Sequence, residues 1–157
     1  MVRMRIAPSY RASSPSLILL VDDNQDGVVA RQSVLEELGY NVVSACSGAD
    51  ALARVEQQQF DLIITDYKMR PMDGLELIAN LRNGEFRNPI ILLTGFAESL
   101  GLREDSTGAT AVIQKSANEV THLVRSIKRL LATPRKPAAS QRTTKPLVRK
   151  RASAGDA

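Results

Sequence analysis

The chain has 157 residues, enough for one globular domain with extensions. Hydrophobic residues make up 43% and aromatics only 4%, with no Trp, which suits a core of Val, Ile, Leu and Ala. No apolar run approaches the ~20 residues that a membrane-spanning helix needs, and residues 1–16 hold no apolar stretch of secretory length, so neither a span nor a signal peptide is expected. Cys46 is the single cysteine, which excludes an internal disulfide and fits a reducing cytoplasm. The net charge of +4 conceals a division: residues 1–15 and 135–157 are basic, while 16–134 hold 11 basic and 16 acidic residues.

Residues 1–15, closing on Ser13-Ser14-Pro15, read as an N-terminal extension without fixed structure. Leu17 to Val21 form a continuous apolar run that stops at Asp22-Asp23, the pattern of a parallel strand buried on both faces. A helix is predicted over 26–38, with Asn24 as N-cap, Val29, Leu35 and Leu38 on one side, and Gly39 as stop. A strand over 41–45, a helix over 48–58 with Ala51, Leu52 and Val55, and a strand over 61–65 ending at Asp66 follow. Asp73-Gly74 is a turn and helix start, and residues 74–82 form a helix carrying Leu75, Ile78 and Leu81. Pro89 introduces a strand over 90–93 that ends at Thr94. Residues 97–105 carry a weaker helix signal, broken by Gly101. A short strand over 110–114 leads to Lys115, and a helix over 118–132 places Val120, Leu123, Val124, Ile127, Leu130 and Leu131 at helical spacing.

The order is (βα)5 over 16–133. Such alternation predicts an α/β domain: a doubly wound, five-stranded parallel sheet with helices on both faces, for which one common strand order is 2-1-3-4-5. From 134 to 157 the composition turns to Pro, Ala, Ser, Thr, Lys and Arg without apolar periodicity, and this basic tail is expected to be disordered. A solubilising role is preferred for it over electrostatic contact with nucleic acid, because Lys145 to Arg151 lack aromatic stacking residues.

Ligands of open α/β sheets bind beyond the carboxyl ends of the strands. In the order 2-1-3-4-5, the tips of strands 1, 3, 4 and 5 are neighbours, gathering Asp22, Asp23, Asp66, Thr94 and Lys115 in one shallow pocket. Three carboxylates so close repel one another unless a proton or cation intervenes. An all-oxygen set without His or Cys favours magnesium over zinc. Lys115 supplies a positive charge and Thr94 a hydroxyl donor, both suited to a phosphoryl group, and one carboxylate would be the nucleophile.

Residues 17–24 (LILLVDDN), 61–74 (DLIITDYKMRPMDG), 92–95 (LLTG) and Lys115 resemble the signature of the receiver domains of two-component response regulators, which have the flavodoxin-like fold. The resemblance spans about 16–133. It implies that Asp66 is the phosphoacceptor, that Asp23, Asp66 and the backbone carbonyl of Lys68 bind Mg2+ with help from Asp22 through water, and that Thr94 and Lys115 contact the phosphoryl oxygens. Gly95 leaves the site open. The donor would be a histidine kinase or histidine phosphotransfer protein, and output would pass by protein–protein contact or phosphorelay from a cytoplasmic, stand-alone regulator, monomeric or weakly dimeric. Such a protein is no enzyme beyond assisting its own phosphorylation and dephosphorylation. A receiver-like scaffold that works without phosphorylation is the alternative.

Three positions depart from the family pattern. Arg70 stands where Pro is common, with Pro71 one later, so an altered loop around an intact site is expected. Ser116 follows Lys115 in place of Pro, and a trans bond is expected there, since a non-Pro cis peptide costs ~3–4 kcal/mol. Val112 stands where the family often has the Tyr or Phe that turns inward on activation, so the usual readout is absent and the response is small or takes another route. Lys68 and Phe96, two after Asp66 and Thr94, would shield an acyl phosphate from water. Tyr67 is read as shaping the rim, His122 as solvated, and Cys46 as packing at the end of strand 2.

Overall fold

The computed structural model describes residues 15–95 and 101–132. The expectations for the two extensions and for Phe96 lie outside these residues. Ten elements alternate: β1 (Leu17–Val21), α1 (Gln25–Glu37), β2 (Asn41–Ala45), α2 (Gly48–Gln57), β3 (Leu62–Asp66), α3 (Gly74–Asn83), β4 (Ile90–Thr94), α4 (Glu104–Thr107), β5 (Ala111–Gln114) and α5 (Glu119–Ala132). All strand pairs are parallel and the order is β2-β1-β3-β4-β5. This is the predicted doubly wound sheet, and its central strands β3 and β4 are buried along their whole length.

The period-2 alternation of the strands divides the core into two layers. Leu19, Val21, Ile63 and Leu92 face one way, onto Ala51 of α2 and Leu77, Ile78 and Leu81 of α3. Ile18, Leu20, Ile64, Ile91 and Leu93 face the other way, onto Val28 and Leu35 of α1 and Leu123 and Ile127 of α5. Every helix except α4 thereby covers apolar sheet surface. Burying a Leu or Ile side chain in this way contributes ~1.5–3 kcal/mol.

Helix starts follow local chemistry. The Asn24 side chain accepts hydrogen bonds from the Asp26 and Gly27 amides, as predicted for an N-cap. Asp73 and Glu76 cap α3 reciprocally, each side chain accepting from the other's backbone amide. Two expectations need correction. The buried stripe of α1 runs through Val28 and Leu35, whereas Val29 and Leu38 are 57% and 44% exposed. Val28 and Leu35 stand seven residues apart, two helical turns, so they share one line of the helix, and the polar Arg31 between them lies on that line. Residues 97–100 of the predicted helix over 97–105 lie outside the described residues, and of 101–105 only Glu104 and Asp105 are helical, in a single turn at Glu104–Thr107. Gly101 and Gly108, at φ 64 and 83, stand on either side of it in left-handed geometry that a helix does not continue through.

In urea titration, Leu35→Ala is expected to cost about 3 kcal/mol of unfolding free energy. Leu38→Ala should stay within about 0.5 kcal/mol of wild type. Equal effects would put the α1 stripe back where periodicity alone drew it.

Candidate functional site

The strand tips hold the chemistry. Asp22 follows β1 directly, and its amide donates to the Ala45 carbonyl at 3.2 Å, extending the sheet by one step. Asp66 is the last residue of β3 and Thr94 the last of β4. The Lys115 amide donates to the Thr94 carbonyl at 2.8 Å, which aligns the ends of β4 and β5. Asp22, Asp66 and Thr94 are buried and Asp23 is exposed. The structure thus brings all five predicted tip residues to one end of the sheet.

Carboxylate oxygens of Asp22, Asp23 and Asp66 lie within 4.8 Å of one another. Lys115 spans from the end of β5 to form an ion pair with Asp66 Oδ1. It does so with Ser116 behind it through a trans peptide, as expected, since among the described residues the cis bond is Arg70–Pro71. Burial raises the Asp66 pKa above the ordinary carboxylate value, the Lys115 hydrogen bond opposes that rise, and the Asp22 charge adds to it. The donor set is oxygen-only and carries excess negative charge, which fits a hard divalent cation. Asp22 is already engaged on both oxygens: Oδ1 accepts from the Asn24 amide at 2.9 Å and Oδ2 from Arg31 Nη1 at 2.9 Å.

The loop after Asp66 walls one side of the site. A cleft of about 400 Å³ is lined by Asp23, Tyr67, Lys68, Met69, Arg70 and Asp73. Tyr67 is half-buried at this rim, as read from the sequence, and Lys68 and Arg70 are exposed. The loop closes on itself: the Gly74 amide donates to the Tyr67 carbonyl at 2.8 Å, and the Tyr67 amide donates to the Leu93 carbonyl at 2.8 Å. Gly74 is required for this closure. A Cβ there would collide with the Asp66 carbonyl oxygen and lie 3.0 Å from Tyr67 Cα, and backbone has nowhere to retreat. The Arg70-Pro71 inversion is therefore absorbed between fixed ends.

His122 is exposed on α5, away from the sheet interior, as expected. Cys46 is exposed after β2, and its packing role is corrected: the amide and the thiol both turn to Asp50 Oδ2, at 3.1 and 3.7 Å. Sequence reasoning missed Arg31 and Glu119. A signal was present, since Arg31 falls three residues after Val28 and four before Leu35 on the same stripe.

A sequence model of the response regulator receiver domain matches residues 18–128. The chain belongs to the response regulator receiver domain family. Among curated relatives of this receiver, the transcriptional regulatory protein ZraR of Salmonella typhimurium is 34% identical over 129 residues, 81% of this chain and 27% of that protein. The alkaline phosphatase synthesis transcriptional regulatory protein PhoP of Bacillus subtilis is 36% identical over 118 residues, 71% of this chain and 48% of that protein. The receiver thus spans about a quarter to a half of these relatives' length. Among solved structures, the response regulator TrrA of Thermotoga maritima, in complex with Mg2+-BeF, superposes with a TM-score of 0.66 at 30% identity, covering 73% of this chain and 98% of that one. The receiver domain of the sensor histidine kinase PA1611 of Pseudomonas aeruginosa, with a magnesium ion in its active-site cleft, gives 0.67 at 28% identity, covering 76% and 99%. Among the described residues of this receiver, no helix is long and apolar enough to cross a membrane.

The raised Asp66 pKa has a stability consequence with a definite sign. The folded state holds this proton more tightly than the unfolded chain. The contribution is therefore complete below the unfolded carboxylate pKa of about 3.9 and is lost as pH rises through the folded value. In metal-free buffer at pH 7, Asp66→Asn is expected to raise Tm by about 2–5 °C. The gain should shrink as pH falls toward the unfolded carboxylate range. A lower Tm at pH 7 would mean that the Lys115 pair outweighs burial.

Proposed function

We propose that this receiver accepts a phosphoryl group on Asp66 from a histidine kinase or histidine phosphotransfer protein, and signals by protein contact or by passing the group on. The observation that carries the reading is the Lys115–Asp66 ion pair inside the trio of carboxylates. It supports a nucleophile held at the sheet edge beside a fixed cation, where a phosphoryl group gains charge stabilisation. In the step, an Asp66 carboxylate oxygen bonds to phosphorus while the bond from phosphorus to the donor imidazole nitrogen breaks. That nitrogen keeps the electron pair. Lys115 then contacts a phosphoryl oxygen together with the Thr94 hydroxyl at the neighbouring tip. Asp23, Asp66 and the Lys68 carbonyl would hold Mg2+, with Asp22 acting through water, and the ion when bound neutralises phosphoryl charge and orders its oxygens.

Loss of the group is hydrolysis: water attacks phosphorus, the bond to Asp66 breaks, and inorganic phosphate leaves. Lys68 lines the cleft beside Asp23 and is exposed. It sits where a long side chain restricts the approach of that water. The chain promotes only its own phosphorylation and dephosphorylation, and turns over no separate substrate. We place it in the cytoplasm, in keeping with its single exposed Cys46. The scaffold reading draws support from Val112, half-buried on β5 with no ring to swing inward.

Intact-mass analysis after incubation with acetyl phosphate tests the reading. Wild type is expected to gain one phosphoryl mass only when magnesium is present, and Asp66→Asn none. A folded wild type that gains nothing would move the function to the phosphorylation-independent scaffold. In the same assay, Lys68→Asn should shorten the adduct's half-life by about three- to tenfold, equivalent to ~0.7–1.4 kcal/mol of barrier. An unchanged half-life would remove Lys68 from the shielding of the acyl phosphate.

A further inference from the structure

Arg31 lies on the sheet-facing stripe of α1, where its neighbours Val28 and Leu35 are buried core residues. Its side chain is 11% exposed and bridges two carboxylates. Nη1 lies 2.9 Å from Asp22 Oδ2, and Nε lies 2.5 Å from Glu119 Oε2 in the first turn of α5. Burial works against the guanidinium charge, and the Glu119 and Asp22 carboxylates more than offset it, so its pKa lies above the ordinary arginine value. The path to Asp22 is opened by Gly27. A Cβ at that position would stand 3.0 Å from Arg31 Nη1 and 3.1 Å from Asp22 Oδ2, pressing directly on the pair. A glycine inside a helix costs ~0.5–1 kcal/mol relative to alanine. Here it leaves room for an ion pair between the helix and the carboxylate trio.

We infer that Arg31 is the resident counter-cation of the carboxylate trio: a positioning residue that competes with a divalent cation for Asp22 and ties the occupancy of the site to the first turn of α5 through Glu119. The inference rests on the magnesium reading of the site. Without a divalent ion, the guanidinium neutralises one of the three carboxylates and holds Asp22 toward α1. A divalent ion among the same carboxylates repels the guanidinium and draws on Asp22, which leaves Arg31 to Glu119 alone. Two consequences follow from charge. Metal affinity is lower than the bare trio would give, and the α5 end feels whether the site is filled.

Isothermal titration with magnesium chloride alone tests the competition. Arg31→Leu, which keeps the stripe apolar, is expected to bind magnesium about tenfold more tightly than wild type, while Arg31→Lys, which keeps the charge, stays closer to wild type. Arg87→Leu removes a cation that is 76% exposed and precedes β4 at the opposite end of the sheet, and should leave affinity unchanged. In 15N NMR, magnesium should shift the amides of Glu119 and Val120 in wild type, and Arg31→Leu should abolish those shifts. Unchanged or weaker affinity in a folded Arg31→Leu protein overturns the inference. Should that variant fail to fold, Glu119→Gln carries the test: the guanidinium then belongs to Asp22 alone, and magnesium should bind several-fold more weakly. Unchanged or tighter binding there overturns the inference. Heat from wild type with no difference in the variants overturns the inference alone. No heat from any of the proteins overturns it together with the magnesium reading.

Discussion

Charge balance at one end of the sheet governs this molecule. Two buried aspartates and one exposed one bring carboxylate oxygens within 4.8 Å of one another. Like charges in a poorly solvated site cannot all persist without compensation. Two cations from distant parts of the chain meet them. Lys115 arrives from the end of β5 onto Asp66, and Arg31 from α1 onto Asp22. The rest of the fold can be read as the frame that holds these charges apart in sequence and together in space.

That frame is fixed at its centre. The central strands β3 and β4 are buried throughout, with apolar layers packed on both faces, and they fix the tips that carry Asp66 and Thr94. Gly74 pins the loop after Asp66 by close backbone approach. The described part of the link between β4 and β5 holds the one-turn helix α4, and Val112 on β5 stands where the family often has Tyr or Phe. The Asp22–Arg31–Glu119 bridge lies on the α1–α5 side of the sheet, opposite the layer that Val112 packs against, and runs from the carboxylates to α5 through two hydrogen-bonded ion pairs.

The departures from the family pattern differ in weight. The Arg70-Pro71 inversion sits between two fixed backbone contacts and leaves the Asp66-to-Gly74 span intact. Ser116 does not prevent Lys115 from reaching Asp66. Arg31 is not one of these departures, yet its ion pair with Asp22 changes the net charge at the site. Its partners are a residue read from the sequence as an accessory ligand and one that received no role at all.

The sequence by itself determined the strand order of chemistry. Strands alternating with helices predict a parallel sheet, whose carboxyl ends carry its ligands in general, so the gathering of Asp22, Asp23, Asp66, Thr94 and Lys115 at one end of the sheet was legible in the sequence. Caps were legible for the same reason, since Asn24 and Asp73 act on amides two or three residues away. What only the tertiary structure decided is non-local. Which line of α1 meets the sheet is decided by packing, and there Val28 and not Val29 is buried. Arg31 and Glu119 are 88 residues apart, and their bridge exists only because α1 and α5 cover the same face of the sheet. Local periodicity cannot report a contact whose distance is set by packing.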